Sequence, residues 1–212
     1  MASTTVNLTG NPDIDGILSG LRWSGNTVSY GFPTDKADYG DYSHLVDHDN
    51  NKATPALQID ETNGFSALSD DQQKAAHAAF GEFARFTLSS AFQQTPANDA
   101  DVRLGQSSAM APRPDGSPAD AYASYPGDSG LAGDVWFNPT AYNNPLLGTR
   151  AYQTFFHEIG HALGLKHGHI ADNGNGMVLP ADRDSLEFST MTYRDYVGQD
   201  VADGQTVAEG MG

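Results

Sequence analysis

Most of the chemistry open to this chain is concentrated in one stretch, His157-Glu-Ile-Gly-His-Ala-Leu-Gly-Leu-Lys-His167. His157 and His161 stand one helical turn apart, so both imidazoles leave the same face and can meet one ion. Glu158 follows the first of them, angled away from that ion but within reach of a water beside it. Gly164 can take the left-handed conformation that ends a helix, after which the chain turns back and offers His167 from another direction. Three neutral imidazoles leave a fourth tetrahedral position open, which is the pattern of a catalytic rather than a structural zinc. Zinc held in this way acidifies water and polarises a carbonyl. Glu158 is then the base that takes the proton and passes it to a leaving amine. The expected reaction is hydrolysis of a peptide bond. A bare His-Glu-x-x-His arises by chance on amphipathic helices; Gly164 and His167 at these offsets set this one apart.

The motif is that of the metzincins, and within them the chain resembles the serralysins. Further matches are Ile14-Asp-Gly-Ile-Leu-Ser-Gly with Trp23, Val28-Ser-Tyr-Gly-Phe-Pro, Phe65-Ser-Ala-Leu-Ser-Asp-Asp-Gln-Gln-Lys and Gly133-Asp-Val-Trp-Phe-Asn. The resemblance implies an α/β metzincin fold: a twisted, mostly parallel five-stranded sheet with an antiparallel edge strand, a backing helix, an active-site helix and a small irregular C-terminal lobe. It implies that Ser189-Thr-Met-Thr-Tyr193 is a tight turn with Met191 beneath the imidazoles, a soft floor that does not bind the ion. Tyr193 would bind zinc at rest and donate to the developing oxyanion when substrate is present. Ala121, Tyr122, Ala123, Ser124 and Tyr125 resemble the strand along the cleft rim, to which an extended peptide could add by main-chain hydrogen bonds. Serralysins usually follow the third histidine with proline, whereas this chain has Gly168 and His169; His169 could compete for the metal, but the spacing from Gly164 selects His167.

The elements that must hold these groups are legible in outline. Ile14, Ile17, Leu18 and Leu21 recur at helical spacing, and residues 26–32 alternate as a strand stopped by Pro33. Ser69-Asp-Asp-Gln is a capping box, followed by an apolar stripe of Ala76, Ala79, Phe80, Phe83 and Phe86. Strands are expected at 101–105, 121–125 and 134–138, with a short one at 56–59, and a buried helix over 149–163. Beyond Gly164 little regular structure is expected. The element order fits two lobes, an upper one at 1–164 and a lower one at 165–212, which the resemblance implies form one protease domain. The resemblance implies a closing helix after the turn at Met191. Val197, Val201 and Val207 are too sparse, and Gly198, Gly204 and Gly210 too frequent, to form it. The expectation is that this helix belongs to a longer protein or a second chain, leaving an apolar patch behind Phe188, Met191 and Tyr193.

Composition narrows the partners. Eleven Lys+Arg against 27 Asp+Glu leave a formal charge of −16, which repels nucleic acid and anionic membranes. Cysteine is absent, so a metal must rely on His, Asp, Glu or Tyr. The start of the chain lacks the basic and apolar regions of a secretory signal. The family resemblance implies extracellular action after export by another route, with calcium-binding repeats downstream or on another chain. Calcium has one weak candidate here, the loop Asp172-Asn-Gly-Asn-Gly, which reads more readily as a turn. His44 and His48 lie in an acidic loop and read as solvated rather than as a second metal site. The leading reading is a zinc endopeptidase acting on protein or peptide substrates. The alternatives are a metzincin-like module that binds zinc without catalysis, or a domain that processes only its own polypeptide.

Overall fold

The computed structural model describes residues 1–40, 60–87, 91–110, 119–171 and 175–200. The chain opens with β1 (Ser3–Thr5), α1 (Pro12–Asp15) and β2 (Leu21–Trp23), and β1 pairs antiparallel with β2. There follow β3 (Val28–Gly31), a 3-10 turn at Lys36–Tyr39, another at Glu61–Gly64, β4 (Phe65–Ser66) and α2 (Asp70–Ala84). The remaining elements are β5 (Phe92–Gln94), a third 3-10 turn at Ala97–Asp99, β6 (Val102–Ser107), β7 (Ala121–Ala123), β8 (Asp134–Phe137) and α3 (Arg150–Ala162). No helix among the described residues is long and apolar enough to cross a membrane.

The main sheet runs β5-β3-β6-β8-β7, with β4 pairing antiparallel to β6 as a sixth strand. β5, β3, β6 and β8 are parallel, and β7 is the antiparallel edge. The expected α/β architecture is therefore present, with one short strand more than the five expected. Strand alternation sorts the side chains to two faces. Val135 and Phe137 join the main core with Phe80, Phe155 and Ile159, whereas Trp136 joins Tyr39, Met110 and Leu131 on the other side. Phe137 stacks on Phe155 with ring centroids 4.0 Å apart, seating α3 on the sheet, and Tyr30 stacks on Phe80 at 4.0 Å, seating α2.

The capping box at α2 is formed. The Ser69 hydroxyl accepts from the Gln72 amide at 3.3 Å, and the Gln72 side chain accepts from the Ser69 amide at 2.8 Å. The amide group of Gln72 also donates to Gln106 and to the Tyr142 carbonyl, each at 2.9 Å, which locks the start of the helix to the sheet. Of the expected stripe, Ala76, Ala79 and Phe80 are buried and Phe83 is half-buried, but Phe86 is 87% exposed because the helix ends two residues before it.

The helix expected over 14–21 is a single turn. Its continuation is prevented by partners that claim the backbone. Lys166 donates its amide to the Ile17 carbonyl at 2.8 Å, Ser19 donates to Gly164 at 2.9 Å, and Leu18 bridges to Leu165. Leu21 and Trp23 become strand, and the Trp23 indole donates to the Ala162 carbonyl at 2.9 Å, at the end of α3. The strand expected at 56–59 lies outside the described residues.

Candidate metal centre

Helix α3 begins at Thr149, whose hydroxyl accepts from the Tyr152 amide at 3.2 Å, and it buries Phe155, Ile159 and Ala162 against the core. That seating fixes the rotation of the helix and brings His157, Glu158 and His161 onto a buried surface. The chain then leaves through Gly164 at φ +104, where an added Cβ would lie 2.2 Å from the Leu21 carbonyl oxygen. Only glycine fits that turn. We expect Gly164→Ala to destabilise the fold by about 3 kcal/mol through left-handed backbone cost and overpacking. Chemical denaturation of the metal-free protein checks this.

Beyond the turn, His167 returns to the helix. The three Nε2 atoms stand 3.1 Å (His157 to His161), 3.0 Å (His157 to His167) and 3.0 Å (His161 to His167) apart. Nδ1 of His157 donates to the Thr190 carbonyl at 2.7 Å, and Nδ1 of His161 donates to the Leu165 carbonyl at 2.7 Å. A carbonyl only accepts, so the proton of each ring sits on Nδ1 and the two Nε2 lone pairs face each other. That arrangement is unfavourable unless a cation sits between them. A zinc ion about 2.0–2.1 Å from each nitrogen would span donors about 3.3 Å apart in ideal tetrahedral geometry, within a few tenths of an ångström of what is found. The triad can hold a metal, and its donor set fits one.

The electrostatics agree. Burial lowers His157 to about 4 and, with the neighbouring His157, lowers His161 to about 3; burial and the other two rings bring His167 well below its usual range. Protons therefore compete weakly for these nitrogens. Burial alone pushes Glu158 up to about 8, and its Oε2 finds no hydrogen-bond partner among the described residues. In the metal-free protein these groups oppose each other. Histidines depressed from 6.5 give stability that is present above 6.5 and is lost as pH falls through 4. Glu158, raised from 4.5, gives stability that is full below 4.5 and is lost as pH rises through about 8. With several histidines against one carboxyl, thermal midpoints measured in chelator should peak near about pH 6.5 and fall on both sides.

Met191 is 1% exposed, and its Sδ lies 2.6 Å from where a Cβ on Gly160 would stand, so it packs directly against α3. The turn it occupies is pinned by the Ser189 hydroxyl, which accepts from the Met191 amide at 3.0 Å, and by Thr190, whose carbonyl holds His157. The Tyr193 ring lies 4.1 Å from that of His167 and 5.8 Å from that of His157. Met191 and Tyr193 are buried, so the apolar patch expected behind them reduces to Phe188, which is 48% exposed.

His169 is not among the residues whose ligand atoms converge; its ring stacks 5.8 Å behind that of His167 and 4.9 Å from Tyr193. Gly168 has a physical reason to replace proline. Its amide donates to the Met191 carbonyl at 3.1 Å, a bond proline cannot make, and an added Cβ would stand 2.5 Å from Leu179 Cδ1. Of the rim strand, Ala121, Tyr122 and Ala123 form β7, while Ser124 and Tyr125 lie beyond its end. Ser124 continues the pairing through its amide to the Asp134 carbonyl at 2.9 Å, and the Tyr125 ring stands perpendicular to that of His161 with centroids 5.6 Å apart.

His44 and His48 lie outside the described residues, as do residues 172–174 of the loop considered for calcium. Asn175 of that loop acts as a brace, donating to the Asp15 carbonyl at 2.7 Å and to that of Leu18, and accepting from Met177 at 2.8 Å. Three supports escaped the sequence reading: the Thr190 and Leu165 carbonyls, which carry no side-chain signal, and Lys166, which sits inside the motif but is not one of its histidines.

No family model matches the chain. Among curated proteins, it is 29% identical to serralysin B of Dickeya chrysanthemi over 136 residues, covering 61% of this chain and 28% of that protein. It is 44% identical to serralysin C of the same organism over 79 residues, covering 34% and 16%. It is 31% identical to serralysin G over 147 residues, covering 64% and 30%. The chain thus spans less than a third of the length of these relatives. Over the matched segments it is related to the serralysins.

Proposed function

We propose that this chain is the catalytic portion of a zinc-dependent endopeptidase, with His157, His161 and His167 as the metal ligands. The observation that carries the reading is the convergence of three Nε2 atoms beside a buried carboxyl group, Glu158, one of whose oxygens has no partner among the described residues. When bound, zinc would supply Lewis acidity to the scissile carbonyl and to a water. Glu158 accepts the proton of that water and returns it to the leaving amine, a role suited to a carboxyl whose burial makes it unusually basic. The Thr190 and Leu165 carbonyls keep two imidazoles in the tautomer that presents Nε2. Met191 fills the space under Gly160 and so fixes the floor of the site.

An extended protein or peptide substrate is proposed to add to the outer edge of β7, which pairs with no other strand than β8 among the described residues. It would lie in a cleft between the part of the chain up to residue 164 and the part beyond it. Extracellular action, as the resemblance implies, belongs to the same proposal.

Tyr193 is proposed as a zinc ligand at rest and an oxyanion donor during reaction, supported by its ring packing on His167. Tyr193→Phe should lower kcat by about 10²-fold with little change in KM, because the hydroxyl acts mainly on the transition state. Unchanged kcat would leave Tyr193 a packing residue. The reading as a whole is tested by incubating the zinc-loaded protein with unfolded casein and with an inactive copy of itself. Cleavage of casein supports the endopeptidase. Cleavage of its own chain alone favours self-processing, and zinc binding with neither cleavage favours a non-catalytic module.

A further inference from the structure

The third ligand is carried by a turn that has no regular structure of its own, and the residue before it, Lys166, is 0% exposed. A buried ammonium is costly unless its donors are satisfied. Here Nζ donates to the carbonyls of Ile170 at 2.6 Å, Gly16 at 2.7 Å and Met177 at 2.8 Å, with the carbonyl of His167 itself at 3.3 Å. Three short bonds match the three protons of an ammonium. They reach three separate segments: the N-terminal stretch before β2, the residues just after His167, and the strip that continues to Leu179. The backbone reinforces the same junction, since the Lys166 amide donates to Ile17 at 2.8 Å and the Gly168 carbonyl accepts from Leu179 at 2.8 Å. Its neighbour Leu165 supplies the carbonyl that orients His161.

We propose that Lys166 is a positioning residue for the metal centre, its ammonium tying the third-ligand turn to segments 16–17, 170 and 177 so that His167 is held in place for the ion. The inference rests on the zinc reading of the site. A cation next to a bound dication opposes it electrostatically, so the benefit of Lys166 comes through the backbone it gathers. The hydrocarbon stem alone would pack the same space without fixing the carbonyls.

The chain contains no cysteine, which makes a clean test available. A Lys166→Cys protein can be alkylated while unfolded, either with an aminoethyl group, which restores an ammonium at the lysine position, or with a propyl group of the same length and no charge. Each adduct is refolded without metal, its fold is checked by far-UV circular dichroism, and zinc affinity is measured by competition with a chromogenic chelator. The visible spectrum of the cobalt-substituted forms reports ligand geometry independently of activity. The aminoethyl adduct should bind zinc within a few-fold of the parent and share its cobalt spectrum. The propyl adduct should bind roughly 10–100-fold more weakly, the usual loss when a group supporting a ligand is removed, with an altered spectrum. Equal zinc affinity and identical spectra for the two adducts would overturn the inference alone. A parent protein that binds no zinc would overturn the zinc reading and this inference with it. Should the propyl adduct fail to fold, Lys166→Gln provides the comparison, because its shorter amide cannot satisfy all three carbonyls. Zinc affinity equal to that of the parent would again overturn the proposal.

Discussion

Glu158→Gln is expected to bind one zinc as the parent does and to lose roughly 10²–10⁴-fold or more in turnover of an unfolded protein. The amide retains the size of the carboxyl and can still hydrogen-bond water, but it cannot accept the proton. The buried setting of Glu158 sharpens the comparison. Its Oε2 has no competing partner among the described residues, so the group is not committed to a structural ion pair and is free to meet a water beside the ion. Because burial keeps Glu158 protonated in the metal-free protein below about pH 8, replacing it with a neutral amide of the same size should leave the metal-free fold close to the parent in stability near neutral pH. Zinc content measured beside casein turnover checks both parts, and near-parental turnover by a zinc-loaded Glu158→Gln protein would remove Glu158 from the mechanism.

The second large effect is expected at His161. Its Nε2 stands 3.1 and 3.0 Å from the other two ligand atoms, and its Nδ1 is held by Leu165. His161→Ala removes one of three donors. The loss of a supporting partner alone costs about 10–100-fold in metal affinity, so loss of a ligand should exceed about 10²-fold. It should abolish turnover at zinc concentrations that saturate the parent. His169→Ala is the control: its ring stacks behind His167 outside the converging group, and zinc affinity should change by no more than a few-fold. If the two variants lost zinc equally, His169 would have to be counted as a ligand in solution.

What could be read ahead of the structure divides along the range of the interactions involved. The convergence of His157, His161 and His167 was legible because i, i+4 spacing on a helix and a glycine-broken turn are local geometry, and the capping box at Ser69 for the same reason. The strands expected at 101–105 and 134–138 are present as β6 and β8, with boundaries that differ by no more than two residues. Residues 14–21 misled because their helical spacing is genuine, yet the backbone of Ile17, Leu18 and Ser19 is taken by residues 164–166 from the far end of the chain. Pairing across that separation leaves no periodic trace. Phe86 misled in the opposite way: it continues the stripe in sequence, but α2 ends at Ala84. The supports of the site were the least legible. Main-chain carbonyls of Thr190 and Leu165 have no residue signature, and Lys166 looks like a surface lysine until the segments around its ammonium are seen together.

Contacts distant in sequence also account for glycine, in place of proline, after His167. Gly168 offers an amide to Met191 and leaves room for Leu179 and Asp184, whose carboxylate accepts from Thr192 at 2.6 Å and pairs with Arg194. The turn at Met191 and the turn bearing His167 are thus joined by the hydrogen bond from the Gly168 amide to the Met191 carbonyl.

Zinc at the three histidines is proposed to make this chain cut peptide bonds. The most direct test is a zinc titration of the chelator-stripped protein in which bound metal and cleavage of unfolded casein are followed together. Turnover should rise in proportion to zinc bound, break at one zinc per chain and disappear again with chelator. One zinc bound tightly with no cleavage at any point of the titration, or cleavage indifferent to zinc, would contradict the account.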